Sequence, residues 1–193
     1  MRVVFCGVGA LGSSAVLLCR NFEIELRLVD FDRVESKNLL AQFFVKQSVG
    51  KNKAEALKLQ LFNFWGVRAE ALPVRLSAQN TDSLLGDADL IVDCFDNWAS
   101  RTLLCDYARA HGKALLHAAV AADGSCGLVR WDERFVADQE DAEGQPTCEG
   151  GEHLPLIGLL GAALSRAIQD FVSRGERHDY HVARNGVTSV RGA

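Results

Sequence analysis

The stretch RVVFCGVGALGS, next to the N-terminus, constrains the fold more than any other. The apolar run VVFC at 3–6 is followed by Gly7, Gly9 and Gly12 in the pattern G-x-G-x-x-G, and then by SSAVLLCRNF with helical spacing of its apolar residues. That order reads as strand, tight turn, helix. Glycines in such a turn let the backbone approach a phosphate, while the helix N-terminus supplies amide donors and partial positive charge. The motif predicts a nucleotide seated against the first turn of an α/β fold, without saying which nucleotide.

The rest of the chain repeats the alternation. ELRLVD gives a second strand, and KNKAEALKLQLFNFW a helix with Ala54, Leu57, Leu61 and Phe64 near one face. VRAEALPV and DADLIVDCF read as the third and fourth strands, ASRTLLCDYARAHG as a helix ended by Gly112, and KALLHAAV and CGLVRW as two more strands. Residues 132–153 are acidic and rich in turn formers, which predicts a mobile crossover loop. Pro155 then opens a helix with Ile157, Leu160, Gly161, Leu164, Ile168 and Phe171 on one stripe. DYHVAR-NG-VTSVR closes the chain as a hairpin with an Asn-Gly turn. The expected fold is α/β: a Rossmann-like, mostly parallel sheet flanked by helices, with a C-terminal helix and β-hairpin. We read one domain over 1–193, with a nucleotide-binding core at 1–130, the crossover at 132–153, and helix plus hairpin at 154–193.

Composition narrows the partners. A net charge of −4 leaves no basic footprint, so nucleic acid is not an expected partner. The longest apolar run, LPLIGLLGAAL at 154–164, is too short to span a bilayer, and no targeting signal is visible, so a cytoplasmic protein without a membrane partner is expected. The six cysteines never occur as CxxC, which leaves a zinc site of paired cysteines unsupported. His178 and His181, three apart on a strand, point to opposite faces.

Asp30 ends the second strand roughly 20 residues past the glycines, where a carboxylate would hold a ribose. This much also fits an NAD-dependent oxidoreductase. Asp32, Asn38, Gln42 and Lys53 on the following segment, and Asp93 with Asp96 in DCFDN, have no task in such an enzyme. Carboxylates beside a triphosphate repel it unless a cation intervenes, so a strand-end aspartate is a candidate Mg²⁺ ligand. Lys53 can then neutralise phosphate charge. Taken singly, Asp93 also reads as a turn cap and Lys53 as a solvated first-turn lysine.

Together the blocks GVGALGS, LVDFDRVESKNLLAQ, VGKNKAEA and DCFDNWASR resemble the adenylating domain of the ThiF/MoeB type, which the ubiquitin-activating enzymes share. The resemblance covers roughly residues 1–130, with an echo in CEGGEHLPLIGLLGA. It implies that ATP and Mg²⁺ activate the C-terminal carboxylate of a small ubiquitin-like or sulfur-carrier protein as an acyl-adenylate, releasing pyrophosphate. It further implies that Gly7, Gly9 and Gly12 form the nucleotide loop, that Asp30 holds the ribose, and that Asn38 and Lys53 contact the phosphates. Asp96 would hold Mg²⁺, while Asp32 and Gln42 support the pocket. Cys148, in TCEGGEHLPLIG, stands where a family cysteine can take over the activated carrier as a thioester; an inert loop cysteine is the alternative. Family habit implies a homodimer.

One departure stands out. Ala41 occupies a place where the family usually has arginine, and alanine cannot contact a phosphate. Lys46, Lys51 or Arg33 would have to replace that cation, or a partner supply it. A small-molecule carboxylic acid as substrate, and a nucleotide-binding scaffold with weak turnover, are the remaining alternatives.

Overall fold

The computed structural model describes residues 1–136 and 151–191. The apolar runs become β1 (Arg2–Cys6), β2 (Glu25–Val29), β3 (Ala69–Leu72), β4 (Leu90–Asp93) and β5 (Ala114–Val120), all parallel. β6 (Cys126–Trp131), β7 (His178–Ala183) and β8 (Gly186–Arg191) continue the sheet antiparallel, in the order β3-β2-β1-β4-β5-β6-β7-β8.

Strands buried on both faces read as continuous apolar runs, and β1 does so. Val3 and Phe5 feed one core cluster, Val4 and Cys6 the other. The helices α1 (Ala10–Leu18), α2 (Lys53–Trp65) and α5 (Leu154–Arg174) cover the first face. The helices α3 (Thr81–Leu85) and α4 (Trp98–His111) cover the second. Strand order reverses between β1 and β4, and their register sets Cys6 level with both Val29 and Asp93. Chain leaving those three strand ends must converge, which is where an open α/β sheet holds its ligand.

Local chemistry ends the helices where it should. Asn52 caps α2 by accepting from the Glu55 amide at 3.1 Å, and Asn97 caps α4 by accepting from the Ser100 amide at 2.9 Å. Gly66, Gly112 and Gly175 close α2, α4 and α5 in the left-handed conformation.

Four expectations need correction. Phe64 is 62% exposed, whereas Ala54, Leu57 and Leu61 are fully buried; it shares the angular sector of Leu57, about 20° away, but lies in the last turn of α2, where Phe62 to Trp65 are all exposed. The polar 31–50 segment holds short 3-10 turns at Ser36–Leu40 and Lys46–Ser48, and α3 was not expected either. Such short elements carry no periodic signal; α3 is held by tertiary contact, with Arg27 donating to the Leu84 carbonyl at 2.8 Å. The hairpin turn falls on Arg184 and Asn185 rather than Asn185 and Gly186, since Ala183 pairs Gly186. Gly186 instead opens β8 with φ +148°. Finally, α5 runs on for 21 residues and is long and apolar enough, by length and composition alone, to cross a membrane. In the fold its stripe Leu156, Ile157, Leu160, Leu164 and Ile168 is buried against α1, β6 and β7.

The contact of α5 with α1 is close because Gly161 lacks a side chain. A Cβ there would collide with the Ser14 hydroxyl, itself buried on α1. Gly161→Ala is therefore expected to lower stability by about 1–3 kcal/mol despite alanine's better helix propensity, read as a reduced urea midpoint.

Candidate functional site

The first turn is built by exclusion of side chains. Gly7 has φ +88° and donates its amide to Val29 O at 2.9 Å. A Cβ on Gly7 would lie 2.9 Å from Cys94 O, and one on Gly12 would run into Gly7 O. The β1–α1 turn is thus pressed against the β4–α4 turn. Gly9 occupies the cap of α1 with no side chain over the helix end. That leaves a concave strip of backbone at a helix N-terminus, suited to an anion.

Asp30 fastens this strip to the end of β2. Its two carboxylate oxygens accept from the Val8 and Asp32 amides, each at 2.8 Å. Burial pushes the Asp30 carboxyl above its ordinary range, against the opposite pull of the Val8 amide and Lys53. Asp30→Ala should leave the buried Val8 amide without its acceptor, costing about 1–3 kcal/mol. The denaturation midpoint of nucleotide-free protein is expected to fall accordingly.

The segment that follows folds back over α1. Lys53 Nζ pairs with Asp32 at 3.2 Å, and the Lys53 amide donates to Asp32 O at 2.8 Å. Asn52 Nδ2 donates to both Asp30 O (2.8 Å) and Asp32 O (3.0 Å), locking the two acids to the start of α2. Asn38 is buried, and its side-chain oxygen accepts from the Glu35 amide at 2.8 Å, so it shapes the 3-10 turn. Gln42 is 8% exposed, and its Oε1 has no partner among the described residues. Its Nε2 lies 4.0 Å from where a Gly9 Cβ would sit. A buried, unpaired acceptor beside the glycine strip fits a ligand with a hydrogen-bond donor. Ala41 is 2% exposed and belongs to the apolar cluster with Val34 and Phe44. Of the replacement cations, Arg33 donates to Gly50 O at 2.7 Å, while Lys46 and Lys51 are exposed.

The two aspartates of DCFDN part company. Asp96 is exposed ahead of α4, two residues after Cys94, which lies against Gly7 and Gly12. An exposed carboxylate there fits a Mg²⁺ that takes one protein ligand and phosphate oxygens. Asp93 is fully buried and faces away from that role. Its Oδ1 accepts from the Phe95 amide at 3.0 Å, and its Oδ2 faces His117 Nδ1 at 2.8 Å and Arg101 Nη1 at 3.2 Å. His117 Nε2 in turn faces Asp132 Oδ1 at 3.2 Å, and Arg109 clasps Asp132 with two bonds of 2.7 and 2.9 Å. Burial alone would push His117 down, but the bonds to Asp132 and Asp93 outweigh it and raise it to about 10. Asp132 would likewise be raised by burial, yet His117 and Arg109 bring it down to about 2. His117 is thus held between two carboxylates, which favour the charged form of its ring.

Sequence reasoning missed this chain of charges, and Asn52 with it. Asn52 had a visible signal, three residues before Glu55 at a helix start. His117, Arg101 and Asp132 lie on three separate elements and share no local pattern. The structure brings Gly7, Gly9, Gly12, Asp30, Asp32, Gln42, Lys53 and the Asp96 turn to one end of the sheet. Asn38 works inside its own turn. Cys148, and most of the expected acidic crossover, lie outside the described residues.

Comparison with known proteins agrees with this geometry. A protein-family model described as "ThiF family" matches residues 1–181. Adenylyltransferase and sulfurtransferase UBA4 of Lodderomyces elongisporus is 30% identical over 175 residues, covering 85% of this chain and 38% of that protein. The sulfur carrier protein adenylyltransferase of Thermus thermophilus is 37% identical over 122 residues, covering 61% of this chain and 45% of its own length. The chain thus spans less than half the length of these curated relatives. Among solved structures, E. coli MccB with MccA-N7isoASN superposes with a TM-score of 0.79 at 18% identity, over 98% of this chain and 64% of that one. PaaA superposes with a TM-score of 0.74 at 16% identity, over 98% of this chain and 62% of that one. These likenesses show a shared fold.

Proposed function

Because the chain belongs to the ThiF family, we propose that it adenylates a carboxylate with Mg²⁺-ATP, and that the acid is the C-terminal tail of a small sulfur-carrier or ubiquitin-like protein. The observation that carries this reading is the convergence at the β1/β4 switch point of an anion-binding glycine strip, the buried Lys53 and the exposed Asp96. The names of two relatives, a sulfur carrier protein adenylyltransferase and an adenylyltransferase and sulfurtransferase, support the carrier as the acid.

The chemistry suits the residues. A carboxylate oxygen attacks the α-phosphorus, the bond to the bridging oxygen breaks, and pyrophosphate leaves with the electron pair. The substrate is already a nucleophile, so no general base is needed. What must be overcome is repulsion between two anions, and fixed cations and oriented amides do that. The amides from Gly9 to Leu11 would receive phosphate oxygens and Lys53 would leave Asp32 to meet them. Mg²⁺ at Asp96 would supply charge neutralisation.

ATP–pyrophosphate exchange tests the proposal. Exchange is expected with a carrier whose tail ends in a free carboxylate, and none when that tail is amidated. Exchange with small acids alone would move the substrate assignment to those acids. Preference for NADH over ATP, without exchange, would overturn adenylation.

A further inference from the structure

The buried cluster behind DCFDN has the geometry of a metal centre. We propose that Cys105, His117 and Asp132 form a binding site for a zinc-type divalent transition cation. Cys105 Sγ, a His117 ring nitrogen and an Asp132 carboxylate oxygen all lie within 4.8 Å of one another. His117 Nε2 is 3.2 Å from Asp132 Oδ1 and 3.8 Å from Cys105 Sγ. A tetrahedral zinc with bonds of about 2.0 Å to nitrogen and oxygen and 2.3 Å to sulfur separates its ligands by roughly 3.3–3.6 Å. The two separations measured from His117 Nε2 lie within tenths of an ångström of that spacing, and the third lies within 4.8 Å.

The surroundings are those of a ligand set rather than of a chance cluster. His117 Nδ1 meets Asp93 Oδ2 at 2.8 Å, which aims Nε2 at the other two ligands in the carboxylate–histidine–metal arrangement. Arg109 holds Asp132 by a two-bond clasp that fixes its carboxylate. The Phe135 ring stacks on His117 at 3.9 Å and 12°, shielding one face of the imidazole. His117 and Cys105 are both buried, so water competes weakly for them. Soft sulfur with imidazole and a single carboxylate favours zinc, cobalt or a similar ion over magnesium or calcium.

A thiol binds a metal ion as thiolate, so metal uptake is expected to release protons. Three protein ligands leave the fourth tetrahedral position to water. Because the ligands come from α4, β5 and the 3-10 turn Asp132–Arg134, the ion would pin α4, and with it the turn that carries Asp96, to the end of β6. The inference is independent of the adenylation reading, and metal content rather than activity tests it.

The whole chain is stripped with chelator, reloaded with Zn²⁺ or Co²⁺, desalted and assayed for bound metal, with cobalt also read by absorption. One retained equivalent and a thiolate-to-cobalt charge-transfer band are expected. Cys105→Ser, which keeps a small polar group, should remove the band and weaken zinc at least tenfold while circular dichroism stays unchanged. Cys126→Ser, at a half-buried cysteine outside the cluster, should leave both intact. Asp132→Asn should weaken zinc while preserving side-chain volume. The assignment fails if wild type retains neither metal. It also fails if Cys105→Ser binds zinc and shows the band as wild type does.

Discussion

Gly12→Ala is expected to abolish ATP binding and to destabilise the protein at the same time. The new methyl group would lie 2.1 Å from Gly7 O and 3.4 Å from Cys94 Cβ. The obstacle is backbone, which cannot swing aside as a long side chain would. Either α1 retreats from the turn or the turn opens, and both outcomes spoil the strip of amides. Overpacking of this kind costs about 1–3 kcal/mol. Loss of aligned amides should reduce ATP affinity at least about a hundredfold, equivalent to roughly 2.7 kcal/mol. Calorimetric titration with ATP and a urea melt on the same sample measure both effects. Gly158→Ala is the control: a Cβ there meets open space, so unchanged binding and a gain of up to about 1 kcal/mol are expected. Should Gly12→Ala bind ATP as wild type does, the glycine turn is not the nucleotide cradle.

Asp96→Ala carries the second large effect, on chemistry without stability. Its side chain is exposed, so the urea midpoint should stay within about 0.5 kcal/mol of wild type. Pyrophosphate exchange, which needs a cation to bring two anions together, should fall about 10²–10³-fold, the magnitude typical of losing one fixed stabilising group. Asp93→Ala ought to do the reverse. It strips the buried His117 and Arg101 of a shared anion, a class of change that costs about 3–5 kcal/mol. Comparing the two variants separates a ligand carboxylate from a structural one inside a single five-residue motif. Undiminished exchange in Asp96→Ala, with Mg²⁺ still required, would refute the assigned role.

What could be read beforehand was whatever chemistry is local. Gly7, Gly9, Gly12 and Asp30 announce themselves through spacing along one strand–turn–helix unit, and α5 through its apolar stripe and Pro155. DCFDN was legible as a motif but not as a division of labour. Nothing in those letters says that Asp93 turns inward to His117 on β5 while Asp96 is exposed. Burial decides that, and burial is a property of the assembled sheet. Phe64 shows the same limit from the other side: its letter and its angle match the buried stripe, but it falls in the exposed last turn of α2. The hairpin turn slipped by one residue because strand register, not the Asn-Gly pair alone, chose the corner.

The closeness of α1 and α5 also bears on how the chain is made. Ala15, Val16 and Cys19, on or beside the first helix, are sealed by a helix that begins only at Leu154. During synthesis that apolar surface must therefore wait, uncovered, until α5 has emerged. Contacts of such sequence separation slow folding and leave sticky intermediates. The glycine cradle sits at the head of that waiting helix. The turn that leads α1 is therefore backed by a contact that can form only after α5 has been made.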